Sequence, residues 1–231
     1  MAATNRGKET HDEFLMSYNI FSWNIRGVAA KGVPLLLKDM VNRHNVSCLA
    51  ILEPRILWQT NWGNIEVLSS HRQFVHTRIS PKGNLPSLLV TFVYGSPNYA
   101  VRDCLWRELR ILAANMTEPC CVIGDFNAYL HASDKMGGGP PNLISMNKFK
   151  DCLDECSLSL SLFLSDLGFI GPPFTWEGRG VKERIDWALG TDRMLASFPE
   201  PSVHHLPKMK SDHKPLLLQL DGGSSRGISN D

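Results

Sequence analysis

At 231 residues, 43% hydrophobic and 20% charged, the chain has an ordinary globular composition and can bury a substantial core. No apolar run is long enough to span a bilayer, so no membrane role is expected, and the opening MAATNRGKETHDEF does not read as a secretory signal. Twenty-four basic against 23 acidic residues leave a net charge of +1, which excludes a globally basic nucleic-acid footprint. Any such binding rests on local patches: Arg179, Lys182 and Arg184, or Lys208, Lys210 and Lys214. Each patch taken alone reads first as a set of solvated loop charges.

The first sixteen residues read as a disordered lead, residues 17–221 as one domain, and the Gly/Ser-rich 222–231 as a flexible tail. Tyr18 to Trp23 predicts a buried strand, Val33 to His44 a helix, and Val46 to Leu52 a second strand. Three strand-like runs follow, Ile65 to Leu68, Phe74 to Ile79 and Leu88 to Tyr94, with a turn at Lys82-Gly83-Asn84 before the last. Arg102 to Asn115 carries Leu105, Leu109, Leu112 and Ala113 at helical spacing. Cys120 to Gly124 is a short buried strand running into Asp125, and Asn147 to Cys156 is helical with Ser145 as its cap. Phe174–Trp176, Ile185–Leu189, Val203–Leu206 and Leu216–Leu220 read as late strands, with a short helix from Asp192 to Phe198. The Ser/Leu run from Leu158 to Leu164 alternates with period two, as a strand or an inserted connection would. Alternating early strands and helices with hairpins in the middle predict two sheets with helices outside.

The six cysteines include no C-x-x-C pair and no His at zinc spacing. Cys48, Cys120 and Cys121 lie in apolar runs, and Cys152 and Cys156 share a helix face. That usage fits a reducing compartment, nucleus or cytoplasm.

The acidic residues of interest end apolar runs: Glu53, Asp125 and Asp186, with Asn24 ending the first strand. Strand ends in α/β sheets are where loops converge on ligands. Several carboxylates gathered there repel, and a divalent cation with oxygen ligands relieves the repulsion. Taken singly, Glu53 reads as a loop residue, Gly-Asp-Phe-Asn as a turn and Ser-Asp-His as a cap.

Their joint order is more specific. Phe21-Ser-Trp-Asn-Ile-Arg-Gly27, Leu52-Glu53, Tyr94-Gly-Ser-Pro-Asn98, Gly124-Asp-Phe-Asn127, Arg184-Ile-Asp-Trp187 and Ser211-Asp-His-Lys-Pro215 occur in sequence. In this order the chain resembles the endonuclease/exonuclease/phosphatase superfamily. It is most similar to the apurinic-type endonuclease domain of plant LINE-type (non-LTR) retrotransposons. Leu167-Gly-Phe169, Gly171-Pro-Pro-Phe-Thr-Trp176 and His205-Leu-Pro207 carry the finer resemblance, which spans Tyr18 to Leu220.

The resemblance implies a four-layered α/β sandwich, two mixed β-sheets flanked by helices. It implies Mg²⁺, with Mn²⁺ as a substitute, held by Glu53, Asn24 and Asp212. It makes Asp125 the group that orients or deprotonates water, Asn127 its holder, and Tyr94 a contact to phosphate or the leaving oxygen. His213, paired with Asp186, would donate to a phosphate oxygen, while Arg26, Asn98, Trp176 and Lys210 would bind substrate. The implied substrate is DNA, nicked on one strand to leave a 3′-hydroxyl. The oligomeric state stays open.

The chain departs from the family after Glu53, where Pro54-Arg55 replaces the usual Thr and only 40 residues precede Tyr94. A helix and one or two strands would be missing there. Two other readings therefore stand beside the nuclease: an inactive truncated remnant, and a phosphatase of inositol phosphates or other small phosphoesters.

Overall fold

The computed structural model describes residues 17–26, 31–52, 55–58, 62–158 and 164–221. The expected lead and tail, Glu53, and Ser159 to Phe163 of the Ser/Leu run lie outside the described residues.

β1 (Ser17–Trp23) passes through α1 (Val33–Arg43) to β2 (Cys48–Ile51), which lies parallel to β1, and β3 (Arg55–Trp58) returns antiparallel to β2. β4 (Gly63–His71), β5 (Phe74–Pro81) and β6 (Leu88–Tyr94) form an antiparallel meander. α2 (Tyr99–Asn115) then crosses to β7 (Cys120–Asp125), parallel to β6. Short β8 (Lys135–Met136), α3 (Leu143–Leu158) and β9 (Leu164–Asp166) follow. The hairpin of β10 (Trp176–Gly178) and β11 (Val181–Glu183) leads to β12 (Asp186–Thr191). The chain ends through α4 (Asp192–Ser197), β13 (Ser202–His205) and β14 (Leu216–Asp221).

These strands make a five-stranded sheet ordered β13-β14-β1-β2-β3, a six-stranded sheet ordered β4-β5-β6-β7-β12-β9, and a small sheet β10-β11-β8. Both large sheets are mixed. Their central strands read as continuous apolar runs because both faces are covered. In β1, Tyr18 and Ile20 face the core between the sheets, whereas Phe21 and Trp23 pack with Val33, Leu37 and Met40 of α1. In β7, Cys121 and Ile123 join the inter-sheet core, while Cys120 and Val122 pack with Leu105, Leu109 and Phe149 of α2 and α3. The period of two thus sorts one strand between two cores. The result is the four-layered sandwich of helix, sheet, sheet and helix.

Local chemistry sets the helix ends. Asn98 accepts the N–H groups of Ala100 (3.0 Å) and Val101 (3.4 Å) and starts α2 three residues before the periodicity does. The expected Ser145 cap is corrected. α3 begins at Leu143, and Asn142 Oδ1 accepts the Ser145 N–H at 3.0 Å, so Ser145 sits inside the first turn. The strand expected at Phe174–Trp176 starts instead at Trp176, and β3, β8 and β11 gave no periodic signal because each spans four residues or fewer.

Among the described residues, no helix lies between β2 and β4, in agreement with the shortened stretch after Glu53. There β4 forms the outer rim of its sheet, with Val67 and Leu68 exposed and a bulge between Val67 and Ser69. A bulge bends an unpaired edge away from other chains.

Candidate active site

Three neighbouring strands deliver a row of side chains. In the ladder Tyr94 lies opposite Asp125, and Asp186 lies opposite Asp125 on the other side. Asp125 ends β7 because Gly124 precedes it at φ 142°, pressed so closely to β6 that a Cβ would collide with the Val93 carbonyl. Asn127 takes a left-handed φ of 48°, which turns its amide back on the same carboxylate.

Asp125 is wholly buried and heavily bonded. Oδ1 accepts the Asn127 backbone N–H at 2.8 Å, and Oδ2 accepts Asn127 Nδ2 at 3.0 Å and Asn24 Nδ2 at 2.9 Å. Asn127 Nδ2 also donates to the Gly95 carbonyl at 2.8 Å, so the loop after β6 is tied to the loop after β7. Burial, then the Asp186 charge, pushes the Asp125 carboxyl up to about 7, against the pull of His213 and the two asparagines.

The other sheet supplies the partners. Asn24 follows β1 and His213 precedes β14, and both are wholly buried. Ser211 joins them: its hydroxyl donates to the Asn24 carbonyl at 2.7 Å and accepts the His213 N–H at 3.1 Å. Trp23 Nε1 holds the His213 carbonyl at 3.0 Å. His213 Nδ1 faces Asp186 Oδ2 at 3.1 Å, which assigns the proton on Nδ1 to that carboxylate. Nε2 then lies 3.7 Å from Asp125 Oδ2. Burial alone would lower the imidazole, but Asp186, by charge and hydrogen bond, outweighs it with Asp125 and Asp212 and raises it to about 9.

Asp125, Asp186 and His213 bring one atom each within 4.8 Å of one another, a spacing that a metal could bridge. We read the trio differently, because an imidazolium already offsets one of the two carboxylate charges and a protonated nitrogen is no ligand. Two other oxygens are better donors. Asn24 Oδ1 and Asp212 Oδ1 are buried without a hydrogen-bond partner among the described residues. Arg26 Nε lies 3.2 Å from Asp212 Oδ1, yet the pair is not aligned as a hydrogen bond and the Arg26 side chain is half exposed. A buried, unpaired acceptor costs about 1–3 kcal/mol, so it marks a place where something else completes the contact.

The remaining sequence candidates divide. Trp176 is half-buried and donates Nε1 to Asp212 Oδ2 at 2.9 Å, which orients that carboxylate. Tyr94 is half-buried at the end of β6, and its N–H donates to the Gln73 carbonyl at 2.8 Å. Asn98 is used in the α2 cap, and Lys210 Nζ is held by the Lys31 carbonyl at 2.8 Å. The solvated-charge reading of the basic patches fails at two positions. Arg184 is buried over the Trp187 and Phe169 rings, 3.8 and 4.5 Å to their centroids, and pairs with Asp166. Lys214 is buried and donates to the Phe174 carbonyl and Glu177 Oε1, both at 2.7 Å.

Sequence reasoning missed Arg102 and Thr175. Arg102 is buried beneath the loop after β6, donating to the Ser96 carbonyl and the Ser145 hydroxyl at 2.6 Å each, and burial lowers its pKa. It sits on the apolar face of α2, where a helical count assigns a hydrophobic residue. Thr175 accepts the N–H groups of Ile185 and Asp186, and a lone Thr in a loop carries no pattern.

No curated protein matches the sequence. Solved structures do. The endonuclease domain of TRAS1, a telomere-specific non-LTR retrotransposon, superposes with a TM-score of 0.69 at 14% identity, covering 90% of this chain and 100% of that one. AP endonuclease LMAP from Leishmania major gives 0.67 at 12% identity, over 90% and 88% of the two chains. The 3′ phosphatase NExo from Neisseria, bound to product DNA hairpin, gives 0.64 at 16% identity, over 88% and 99%. These likenesses concern the fold, which serves both nucleases and phosphatases. Residues 21–213 match the Endonuclease/Exonuclease/phosphatase family, a span that contains the Asp125–Asp186–His213 cluster, and the chain belongs to that family.

Proposed function

We propose that the chain is a divalent-metal-dependent phosphodiester hydrolase that nicks one strand of DNA, leaving a 3′-hydroxyl, and that it derives from a LINE-type retrotransposon. The observation that carries the reading is the buried Asp186–His213 pair set beside Asp125. Likeness to the TRAS1 and LMAP folds supports DNA as the substrate, and the motif order supports the retrotransposon origin.

Asp125 is the general base. A carboxyl raised to about 7 is poised near neutral pH, where a base is both available and strong enough to take a proton. Asn24 and Asn127 fix its orientation toward an attacking water. The water gives its proton to Asp125, its oxygen bonds to phosphorus, and the bond from phosphorus to the 3′-oxygen breaks, that oxygen taking a proton from solvent to become the 3′-hydroxyl. His213, held cationic by Asp186, donates Nε2–H to a non-bridging phosphate oxygen and stabilises the charge that develops there. Tyr94, opposite Asp125 in the ladder, lies beside the phosphate or leaving oxygen.

The fit for a divalent cation rests on Asn24 Oδ1 and Asp212 Oδ1, two buried oxygens that accept no hydrogen bond from the described residues. These, with Glu53, would hold Mg²⁺ or Mn²⁺, which prefer such hard oxygen ligands. When bound, the ion supplies Lewis-acid stabilisation of the phosphoryl and leaving oxygens. Trp176, bonded to the other Asp212 oxygen, aims Asp212 for this task.

Plasmid nicking with Mg²⁺ against EDTA tests the reading, beside Glu53→Ala and His213→Ala. Metal-dependent nicking that both variants abolish is the expected result. A folded wild-type protein that never nicks would sink the nuclease reading and leave the remnant, which the short β2-to-β4 stretch favours. Release of phosphate from a 3′-phosphorylated oligonucleotide or an inositol phosphate without nicking would shift the assignment to a phosphatase.

A further inference from the structure

Thr175 offers nothing directly to a substrate, because it is wholly buried. Its bonds nevertheless converge on the catalytic pair. The hydroxyl oxygen accepts the Ile185 N–H and the Asp186 N–H, each at 3.1 Å. Its own N–H donates to the Glu183 carbonyl at 3.0 Å, and its carbonyl accepts the Lys214 N–H at 2.7 Å. One residue thus grips both the segment that bears Asp186 and the segment that bears His213.

The grip matters because those segments lie in different sheets. Asp186 begins β12 of the six-stranded sheet, whereas His213 precedes β14 of the five-stranded sheet. Residues 174–177 span the gap. Trp176 forms a bridge with His213, the Glu177 N–H donates to the Asp212 carbonyl at 3.1 Å, and Lys214 Nζ ties back to Phe174 and Glu177. Within this tie the Thr175 hydroxyl is the part that reaches the Asp186 backbone. Without that acceptor two buried N–H donors lose their partner, and the start of β12 must shift to find another. The His213–Asp186 contact of 3.1 Å has little slack before it leaves hydrogen-bond range.

We propose that Thr175 is a positioning residue whose hydroxyl, as a double acceptor, sets the Asp186 carboxylate against His213 Nδ1. Its kinetic consequence rests on the hydrolase reading above; its geometric consequence does not. Thr175 is buried away from solvent, so its loss is expected to show in the chemical step more than in substrate binding.

Thr175→Val keeps the shape and removes the acceptor, while Thr175→Ser keeps the acceptor and removes one methyl. The first readout is the downfield proton resonance of His213 Nδ1–H in the metal-free protein, assigned by its loss in His213→Ala. The second is kcat and KM for nicking. Thr175→Ser is expected to keep the resonance and to hold kcat within about threefold, whereas Thr175→Val loses the resonance and drops kcat about 10- to 100-fold at unchanged KM. A folded Thr175→Val that keeps both the resonance and kcat overturns the proposal, as does equal loss in both variants, which would assign the effect to methyl packing. If Thr175→Val does not fold, Thr175→Ser decides: a retained resonance supports the proposal and a lost one overturns it. A wild-type protein with the resonance but no nicking defeats the hydrolase reading while leaving the positioning role measurable.

Discussion

The two halves of the site are finished to different degrees. Around Asp186 and His213, the carboxylate meets the imidazole, Thr175 takes the backbone N–H groups, and Ser211 and Trp23 fix the His213 main chain. Around Asn24 and Asp212, two buried oxygens accept no hydrogen bond from the described residues, although Arg26 Nε lies 3.2 Å from that of Asp212. Both halves are built from strand ends of the same sandwich, so the difference is not one of scaffold quality. In one half protein groups hold the Asp186–His213 contact and leave only His213 Nε2 facing the site. The other leaves buried acceptors without a hydrogen bond, the feature on which the proposed cation site rests.

Removing the imidazole attacks the finished half at its centre. His213→Ala is expected to lower the nicking rate on the order of 10³-fold or more, since charge stabilisation and proton donation are lost together. Melting temperature checks that the fold survives, and a folded variant within tenfold of wild type would break the assignment of roles.

Gly124→Ala tests whether that half depends on the close approach of β6 and β7. A Cβ there meets the Val93 carbonyl at a φ of 142°, so destabilisation of about 3 kcal/mol or outright failure to fold is expected by denaturant titration. A neutral result would mean that the ladder opposite Asp125 can relax.

The unfinished half is probed by ligand. Mg²⁺ or Mn²⁺ should raise the melting temperature of the wild-type protein, by about 2.7 kcal/mol of stabilisation at a hundred times the dissociation constant. Asn24→Ala should move the half-maximal cation concentration up about 10- to 100-fold. An unchanged titration would remove Asn24 from the ligand set.

A smaller effect comes from His205. It stacks on Phe169 at 4.3 Å and faces the Pro172 carbonyl through Nδ1 at 2.8 Å, and burial lowers its pKa to about 4. A depressed folded-state pKa favours the neutral ring, so this contribution is full above the unfolded value near 6.5 and is lost as pH falls toward 4. Between pH 6.5 and 5 the loss is about 2 kcal/mol at most. His205→Phe should flatten that slope in the urea-unfolding free energy, and an identical slope would refute the linkage.

Much of the architecture was legible in the chain. Tyr18 to Trp23 and Leu88 to Tyr94 read as buried strands because each is apolar on both faces, and the helix beginning at Val33 showed its period. The short β8 and β11 were not legible, since their pairing with each other is set by a fold that brings Lys135 to Glu183. Arg184 and Lys214 were misread as solvated charges for the same reason. Aromatic faces and carbonyls from distant segments receive their cations, and no local pattern announces that.

By itself the sequence determined that Asn24 and Asp125 lie where strands end, because each closes an apolar run whose period is local, whereas Asp186 begins β12 and His213 precedes β14. Only the tertiary structure decided how they meet. Two sheets had to pack before Asn24 reached Asp125 at 2.9 Å and His213 reached Asp186 at 3.1 Å, contacts that join residues 101 and 27 positions apart. The unpaired oxygens of Asn24 and Asp212 were equally invisible beforehand. Whether a polar atom lacks a partner depends on every neighbour that packing brings within hydrogen-bond range, and that is a property of the folded whole.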